Sequence, residues 1–188
     1  MMTRFHFLLA GLFLIRVCAQ FGTVYAADEP PKMGAEAVDF ELTDVQGKQV
    51  KLHPVLEKGP VVLVVLRGYP GYQCPVCNKQ VGELLGQAEN LKLAGAQVLI
   101  VYPGPSKGLS ERAKEFFKDK SIPDHFHLLL DPDFKFTNRY GLRWDAPNET
   151  AYPSTFVIGK DKKVMFAKVS RTHGGRSNAK EVLSALKP

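Results

Sequence analysis

Apolar and polar residues alternate over positions 38–53 ("VDFELTDVQGKQVKLH") around Gly47, which predicts an N-terminal β-hairpin. Positions 61–66 ("VVLVVL") are continuously apolar and mostly β-branched, the pattern of a strand covered on both faces. A glycine- and proline-rich stretch follows. Val81, Leu84, Leu85, Ala88, Leu91 and Leu93 then recur at helical spacing, predicting one helix over 75–94 that stops at Gly95. "QVLIVY" (97–102) is a second buried strand. Residues 110–120 predict a helix with Ser110 as its N-cap candidate. Residues 127–131 read as a strand or an extended edge, and 133–141 as one or two helical turns closed by Gly141. Residues 154–159 and 162–170 flank a Gly-Lys-Asp-Lys turn and predict an antiparallel hairpin. Residues 177–187 predict a terminal helix capped by Ser177. A βαβ unit between two hairpins, closed by a helix, implies an α/β fold: a mixed central β-sheet flanked by helices, with an N-terminal β-hairpin.

The first residues follow another logic. Residues 1–4 carry one positive charge, and 5–15 are apolar except for His6. Val24 and Ala26 are small residues where a signal peptidase reads, and the polar "ADEPP" follows. This is the three-part pattern of a secretory signal peptide. The apolar run is short for a membrane span and ends at Arg16. Cys18 lacks the small preceding residue of a lipidated cysteine. The expected organisation is a signal peptide over 1–26, a flexible lead-in over 27–34 and one folded domain over 35–188. The product would be exported, periplasmic or extracellular, with no stable membrane insertion after cleavage. A chain of 188 residues suits one domain with a good core.

Cleavage would remove Arg4 and Arg16, two of the charges behind the formal +6, together with Cys18. The remaining basic residues are interleaved with acids, as where Glu111, Glu115 and Asp119 interrupt the lysines of 107–120. Such mixing describes a solvated surface, and no nucleic-acid partner is expected.

Two cysteines then remain, in Cys74-Pro75-Val76-Cys77. An exported compartment tolerates disulfides, but so short a loop constrains little of the unfolded chain and makes a poor staple. Zinc normally takes four ligands, and there is no second CxxC or paired histidine set. Cys74 and Cys77 with His173 form an alternative copper site. A CxxC that follows a buried strand and opens a helix in a βαβ context is a redox motif. Pro75 suits the first helical position, which makes Cys74 the N-cap. A Cys74 thiolate there would accept N–H bonds from Val76 and Cys77 and feel the helix dipole. Such sites lower a cysteine pKa from about 8.5 to about 3.5–7.5, giving a thiolate at neutral pH and a better leaving group.

"VVLVVLRGYPGYQCPVC", "HLLLDPD" and "YPSTFVIGKDKKVMFAKV" together resemble the thioredoxin-fold superfamily. The resemblance is closest to its peroxiredoxin-like (AhpC/TSA, redoxin) branch, in the subgroup carrying a CxxC, and covers roughly residues 32–186. It implies a thioredoxin-like fold, a thiol-dependent oxidoreductase, partners among protein thiols or hydroperoxides, and no cofactor. Peroxiredoxins carry Pro-x-x-x-Thr/Ser-x-x-Cys. Pro70 matches the proline, Cys77 the peroxidatic cysteine, and Cys74 stands where the hydroxyl residue would be. Pro153 stands where peroxiredoxins place an arginine, three residues before the phenylalanine of "YPSTF". Thioredoxins have a cysteine and a cis-proline at these two places. By that resemblance Tyr152–Pro153 would be a cis bond whose flanking backbone pairs with a bound thiol substrate. Read from the residues alone, the plainer alternative is a trans proline entering an edge strand. The tryptophan that thioredoxins place ahead of the first cysteine is absent, since Tyr72 and Gln73 stand there.

Two mechanisms follow. In exchange, Cys74 is the exposed nucleophile that forms a mixed disulfide with a partner, and Cys77 resolves it. In the peroxidase route, Cys77 attacks peroxide and Cys74 condenses with its sulfenic acid. Both end in a Cys74–Cys77 disulfide. The missing hydroxyl and arginine imply weak peroxide turnover, because preorganised donors supply much of catalysis.

Other residues have a functional and a bland reading. Arg67 is a candidate support for the thiolate; a solvated strand terminus is the commoner role for such a residue. Arg143 and Trp144 line a substrate groove or pack a loop on the domain. His173 reads as a surface loop histidine, His125 and His127 as structural. Glu83 is either a buried proton acceptor or part of the outer helix face.

Overall fold

The computed structural model describes residues 29–187. The signal peptide expected over 1–26 lies outside the described residues. A seven-stranded sheet forms in the order β2-β1-β5-β4-β3-β6-β7. Its strands are β1 (Glu41–Asp44), β2 (Gln49–Lys51), β3 (Val61–Val65), β4 (Gln97–Gly104), β5 (Phe126–Pro132), β6 (Ser154–Ile158) and β7 (Val164–Val169). β3, β4 and β5 run parallel, and the other pairings are antiparallel. The expected N-terminal hairpin is β1–β2, turning at Gly47, and it joins the main sheet by pairing β1 with β5. The expected C-terminal hairpin is β6–β7.

Burial explains the two-sided pattern of β3. Val62, Val64 and Leu66 face one core with Cys77, Val81 and Leu84 of α2 (Pro75–Leu85). That core also takes Leu91 of α3 (Ala88–Leu93), Phe116 of α4 (Leu109–Phe117) and Val182 of α6 (Ala179–Ala185). Val61, Leu63 and Val65 face the other core with Leu52 and Leu56 of α1 (Leu52–Leu56) and Phe136 of α5 (Lys135–Arg139). The mixed sheet flanked by helices is therefore as expected. Among the described residues no helix is long and apolar enough to cross a membrane.

Four local expectations are corrected. The N-terminal hairpin does not run to His53: β2 ends at Lys51 and α1 starts at Leu52, whose side chain is buried in the core. The single helix over 75–94 is two helices, because α2 ends at Gly86, whose N–H bonds the Gly82 carbonyl at 2.9 Å. The apolar positions keep their phase across the break, so periodicity does not reveal it. Gly82 and Gly86 each weaken a helix by about 1 kcal/mol relative to alanine. Ser110 is not a cap: α4 starts one residue earlier, behind Gly108, where buried Leu109 docks into the core. Ser177 is not a cap either. Asn178 accepts from the Glu181 N–H while the Glu181 carboxylate accepts from the Asn178 N–H, a reciprocal capping box.

Candidate active site

The parallel strands deliver the chain to the site. β3 ends one residue before Leu66, whose N–H still bonds the Val101 carbonyl of β4 at 2.9 Å, and Arg67 follows. The next residue must be glycine. Gly68 has φ +74, and a Cβ there would lie 2.0 Å from the Pro103 carbonyl oxygen. Gln73 then anchors the loop to β4 and α4. It accepts from the Tyr102 hydroxyl at 2.8 Å and donates to the Arg112 carbonyl at 2.9 Å.

Cys74 is the N-cap of α2 and Pro75 its first residue, as expected. The Cys74 sulfur accepts from the Cys77 N–H at 3.3 Å; no bond from Val76 accompanies it. Both cysteines are free and buried, so Cys74 is not the exposed sulfur expected: it packs in the core with Val62, Val64 and Leu66. Their environments pull apart. The Cys74 thiol is pulled down to about 5, first by the Cys77 thiol that donates to it. Burial opposes this, while the Cys77 N–H, Arg176 and Arg67 favour the charge. The Cys77 thiol is pushed well up, mainly by burial and then by the Cys74 sulfur, with Arg176 opposing.

Arg176, which the sequence did not single out, reaches both sulfurs from the loop between β7 and α6. Its Nη1 lies 3.1 Å from Cys77 Sγ and its Nη2 3.5 Å from Cys74 Sγ. Nη1 also donates to the Gln80 amide oxygen at 3.4 Å. The Gln80 amide nitrogen is held by Thr155 Oγ1 and by Ser177, each at 3.3 Å, and Ser177 donates to Thr155 at 2.8 Å. Ser177 is thus spent on the site rather than on a helix cap. The only sequence signal for Arg176 is a basic residue behind two glycines ahead of the last helix.

Arg67 is buried rather than a solvated strand terminus. Its guanidinium holds Glu149 through two bonds, 2.6 and 2.9 Å long, and donates to the Tyr72 hydroxyl at 2.7 Å. Burial works against the Arg67 charge, and the Glu149 and Tyr72 bonds more than offset it. Burial also opposes the Glu149 charge, but Arg67 and His173 hold its carboxyl below the usual carboxylate range. His173 lies at the exposed end of this chain, 2.8 Å from Glu149. It is committed to the acid and not turned to the sulfurs. Among the described residues no group of three or more His, Cys, Asp and Glu side chains is disposed to hold a metal ion. Cys74, Cys77 and His173 therefore do not assemble the alternative copper site.

The Tyr152–Pro153 peptide is trans, which corrects the cis bond that the resemblance implied. Its flanking groups are also occupied. The Tyr152 N–H bonds the Leu142 carbonyl at 2.8 Å, and the Pro153 carbonyl accepts from Ser170 at 2.9 Å. β6 lies between β3 and β7 and is not an edge, so the residue after β7 claims the Pro153 carbonyl, while the loop after α5 claims the Tyr152 N–H. The Tyr152 ring stacks on Trp144, 4.9 Å between centroids, and the Arg171 guanidinium lies over the Tyr152 ring at 4.4 Å. Trp144 also meets His173 at 5.2 Å, so it is packed within this cluster. Arg143 binds main-chain carbonyls of its own loop. Glu83 is exposed on the outer helix face, and His125 is buried against the Ala88 carbonyl. Tyr72 and Val76 are exposed apolar residues flanking the dithiol. A cleft of about 190 Å³ opens beside α2, lined by Val76, Lys79, Gln80, Glu83, Arg176 and Ser177.

The pattern of the AhpC/TSA family matches residues 33–167. This chain belongs to the AhpC/TSA family. Among curated relatives, the thiol-disulfide oxidoreductase ResA of Bacillus subtilis is 26% identical over 163 residues, 85% of this chain and 82% of that protein. The chloroplastic peroxiredoxin Q of Oryza sativa subsp. japonica is 32% identical over 133 residues, 71% of this chain and 57% of that protein. The solved peroxidoxin BcpB from Mycobacterium tuberculosis superposes with a TM-score of 0.64 at 25% identity, covering 83% of this chain and 96% of that one. The relatives' names denote oxidoreductases, and the expectation of a thioredoxin-like, peroxiredoxin-like redox enzyme is borne out.

Proposed function

We propose that this AhpC/TSA chain is an exported thiol–disulfide oxidoreductase in which Cys74 attacks and Cys77 resolves. The observation that carries the reading is the asymmetry of the pair. The Cys74 sulfur sits at a helix N-terminus with its thiol pulled down to about 5, whereas burial pushes the Cys77 thiol up. A disulfide of a partner protein is attacked by the Cys74 thiolate, and one partner sulfur leaves. Cys77 then attacks Cys74, and the second partner sulfur leaves. Two electrons pass to the partner, and the Cys74–Cys77 disulfide forms. The exposed Tyr72 and Val76 beside the dithiol give an apolar partner somewhere to rest. Export rests on the N-terminal pattern, with cleavage after Ala26. Exchange with a model protein disulfide tests the reading. Cys74→Ser should abolish it, and Cys77→Ser should accumulate a covalent mixed disulfide. Exchange that survives Cys74→Ser would sink it.

A second reading has its own observation. Cys77 holds the peroxiredoxin attacking position, and Arg176 touches it where the expected arginine is replaced by Pro153. A sulfenic-acid trap after dilute peroxide separates the readings. Label in Cys74→Ser but not in Cys77→Ser favours peroxide reduction, and no label in either favours exchange.

A further inference from the structure

Arg176 shares its cleft with Lys79 and Glu83, yet its guanidinium is turned to the sulfurs. Arg67 is paired with Glu149, whereas among the described residues Arg176 forms no ion pair. Its guanidinium has two sulfurs and one amide oxygen as partners instead. The loop is built to hold it there. The buried Ser170 hydroxyl bonds the main chain at Thr172 and Gly174, closing the turn. Gly175 takes φ +66 and swings the chain back. Arg176 Nε donates to the His173 carbonyl at 3.3 Å, and Gln80, itself fixed by Thr155 and Ser177, receives Nη1. The shorter sulfur contact is to Cys77, 3.1 Å against 3.5 Å for Cys74. Arg176 also lies beyond residues 33–167, the stretch that the family pattern matches.

In the resting dithiol the Cys74 sulfur accepts from the Cys77 N–H, and the environment favours the charge on Cys74 and the proton on Cys77. Once Cys74 is joined to a partner sulfur, that charge and that acceptor are gone. Cys77 must then lose its proton inside a buried site. We propose that Arg176 is a catalytic residue of the resolving step, holding the Cys77 sulfur as a thiolate once Cys74 is in the mixed disulfide. The inference rests on the reading of Cys74 as the attacking sulfur. In the step, the Cys77–Cys74 bond forms and the bond between Cys74 and the partner sulfur breaks. The electron pair leaves on the partner sulfur, and the proton given up by Cys77 passes to that thiolate. Charge-assisted hydrogen bonds are about twice as strong as neutral ones, so the guanidinium favours the thiolate over the thiol. The upward push on the Cys77 thiol, with Arg176 among the influences opposing it, accords with this role.

Stopped-flow reaction with dipyridyl disulfide tests it, because the reagent is neutral and each released pyridinethione absorbs light. Attack by Cys74 releases the first equivalent, and resolution by Cys77 releases the second. Near neutral pH, Arg176→Gln should slow the second phase about tenfold or more, as loss of one charge-assisted bond implies. The first phase should change less than about threefold. Raising the pH should recover the second phase, and Arg176→Lys should restore it in part. If Arg176→Gln does not fold, the second-phase pH midpoint of Arg176→Lys carries the test: a rise supports the role, and an unchanged midpoint overturns it. Equal slowing of both phases, or an unaltered second phase, also overturns it. A first equivalent still released by Cys74→Ser would instead overturn the reading of Cys74 as attacker.

Discussion

Cys74 and Cys77 are the same residue type three positions apart, yet their thiols are driven in opposite directions. The difference is positional. Cys74 caps the helix and its sulfur accepts from the Cys77 N–H, whereas the Cys77 thiol lies in the first turn and is pushed up mainly by burial. Because the Cys74 thiol is pulled down to about 5, its alkylation by iodoacetamide should stay fast at neutral pH and fall as pH drops through about 5. Cys77→Ala removes the donor that lowers Cys74 most, so the midpoint should rise in that variant. An unchanged midpoint would mean that the backbone and the arginines hold the charge unaided. The capping role of Cys74 was readable in the sequence because it depends only on Pro75 and the following turn. Arg67 was not readable in the same way. Its acid, Glu149, lies 82 residues away, and nothing near Arg67 announces that it is buried.

The elements around the site are held by a few close approaches. At the end of β3, Gly68 packs its backbone against Pro103 at the end of β4, and its φ of +74 is one that side-chain-bearing residues rarely adopt. Gly68→Ala should therefore destabilise the protein by about 1–3 kcal/mol or more, seen as a lower urea midpoint. A variant as stable as the wild type would show that the two strand ends part without penalty. Helix boundaries were less readable than helix existence. The apolar spacing survives Gly86, so it predicted one helix where there are two. Ser177 is a good cap by residue type, but its hydroxyl is claimed by Thr155 across the core, and the cap moves to Asn178. Tertiary demand on a side chain outranks its local preference.

Across the whole molecule, redox state and stability are linked through Cys74. The folded reduced protein binds the Cys74 proton more weakly than the unfolded chain, whose thiol titrates near about 8.5. That contribution is fully present above the unfolded value and is lost as pH falls through about 5. The disulfide form has no such proton. The stability of the reduced form relative to the oxidised form should therefore shrink between neutral pH and pH of about 5, measured by paired thermal unfolding of the two forms. A difference that grows on acidification would contradict the charge assignment. A thiolate stabilised in this way also makes the couple more oxidising.

The two hairpins, the doubly covered β3 and the dithiol at a helix N-terminus all follow from the chain alone. Each is written in short-range pattern: apolar period, turn residues and a cap are set by neighbours within a few positions. The sheet order and the helices packed on it made the other decisions. They bring Arg176 to sulfurs 99 and 102 positions away, and pair Glu149 with Arg67. They also place β6 inside the sheet, so that a trans Pro153 spends its carbonyl on Ser170. Such contacts exist only after the core has packed, since the residues that make them share no local pattern.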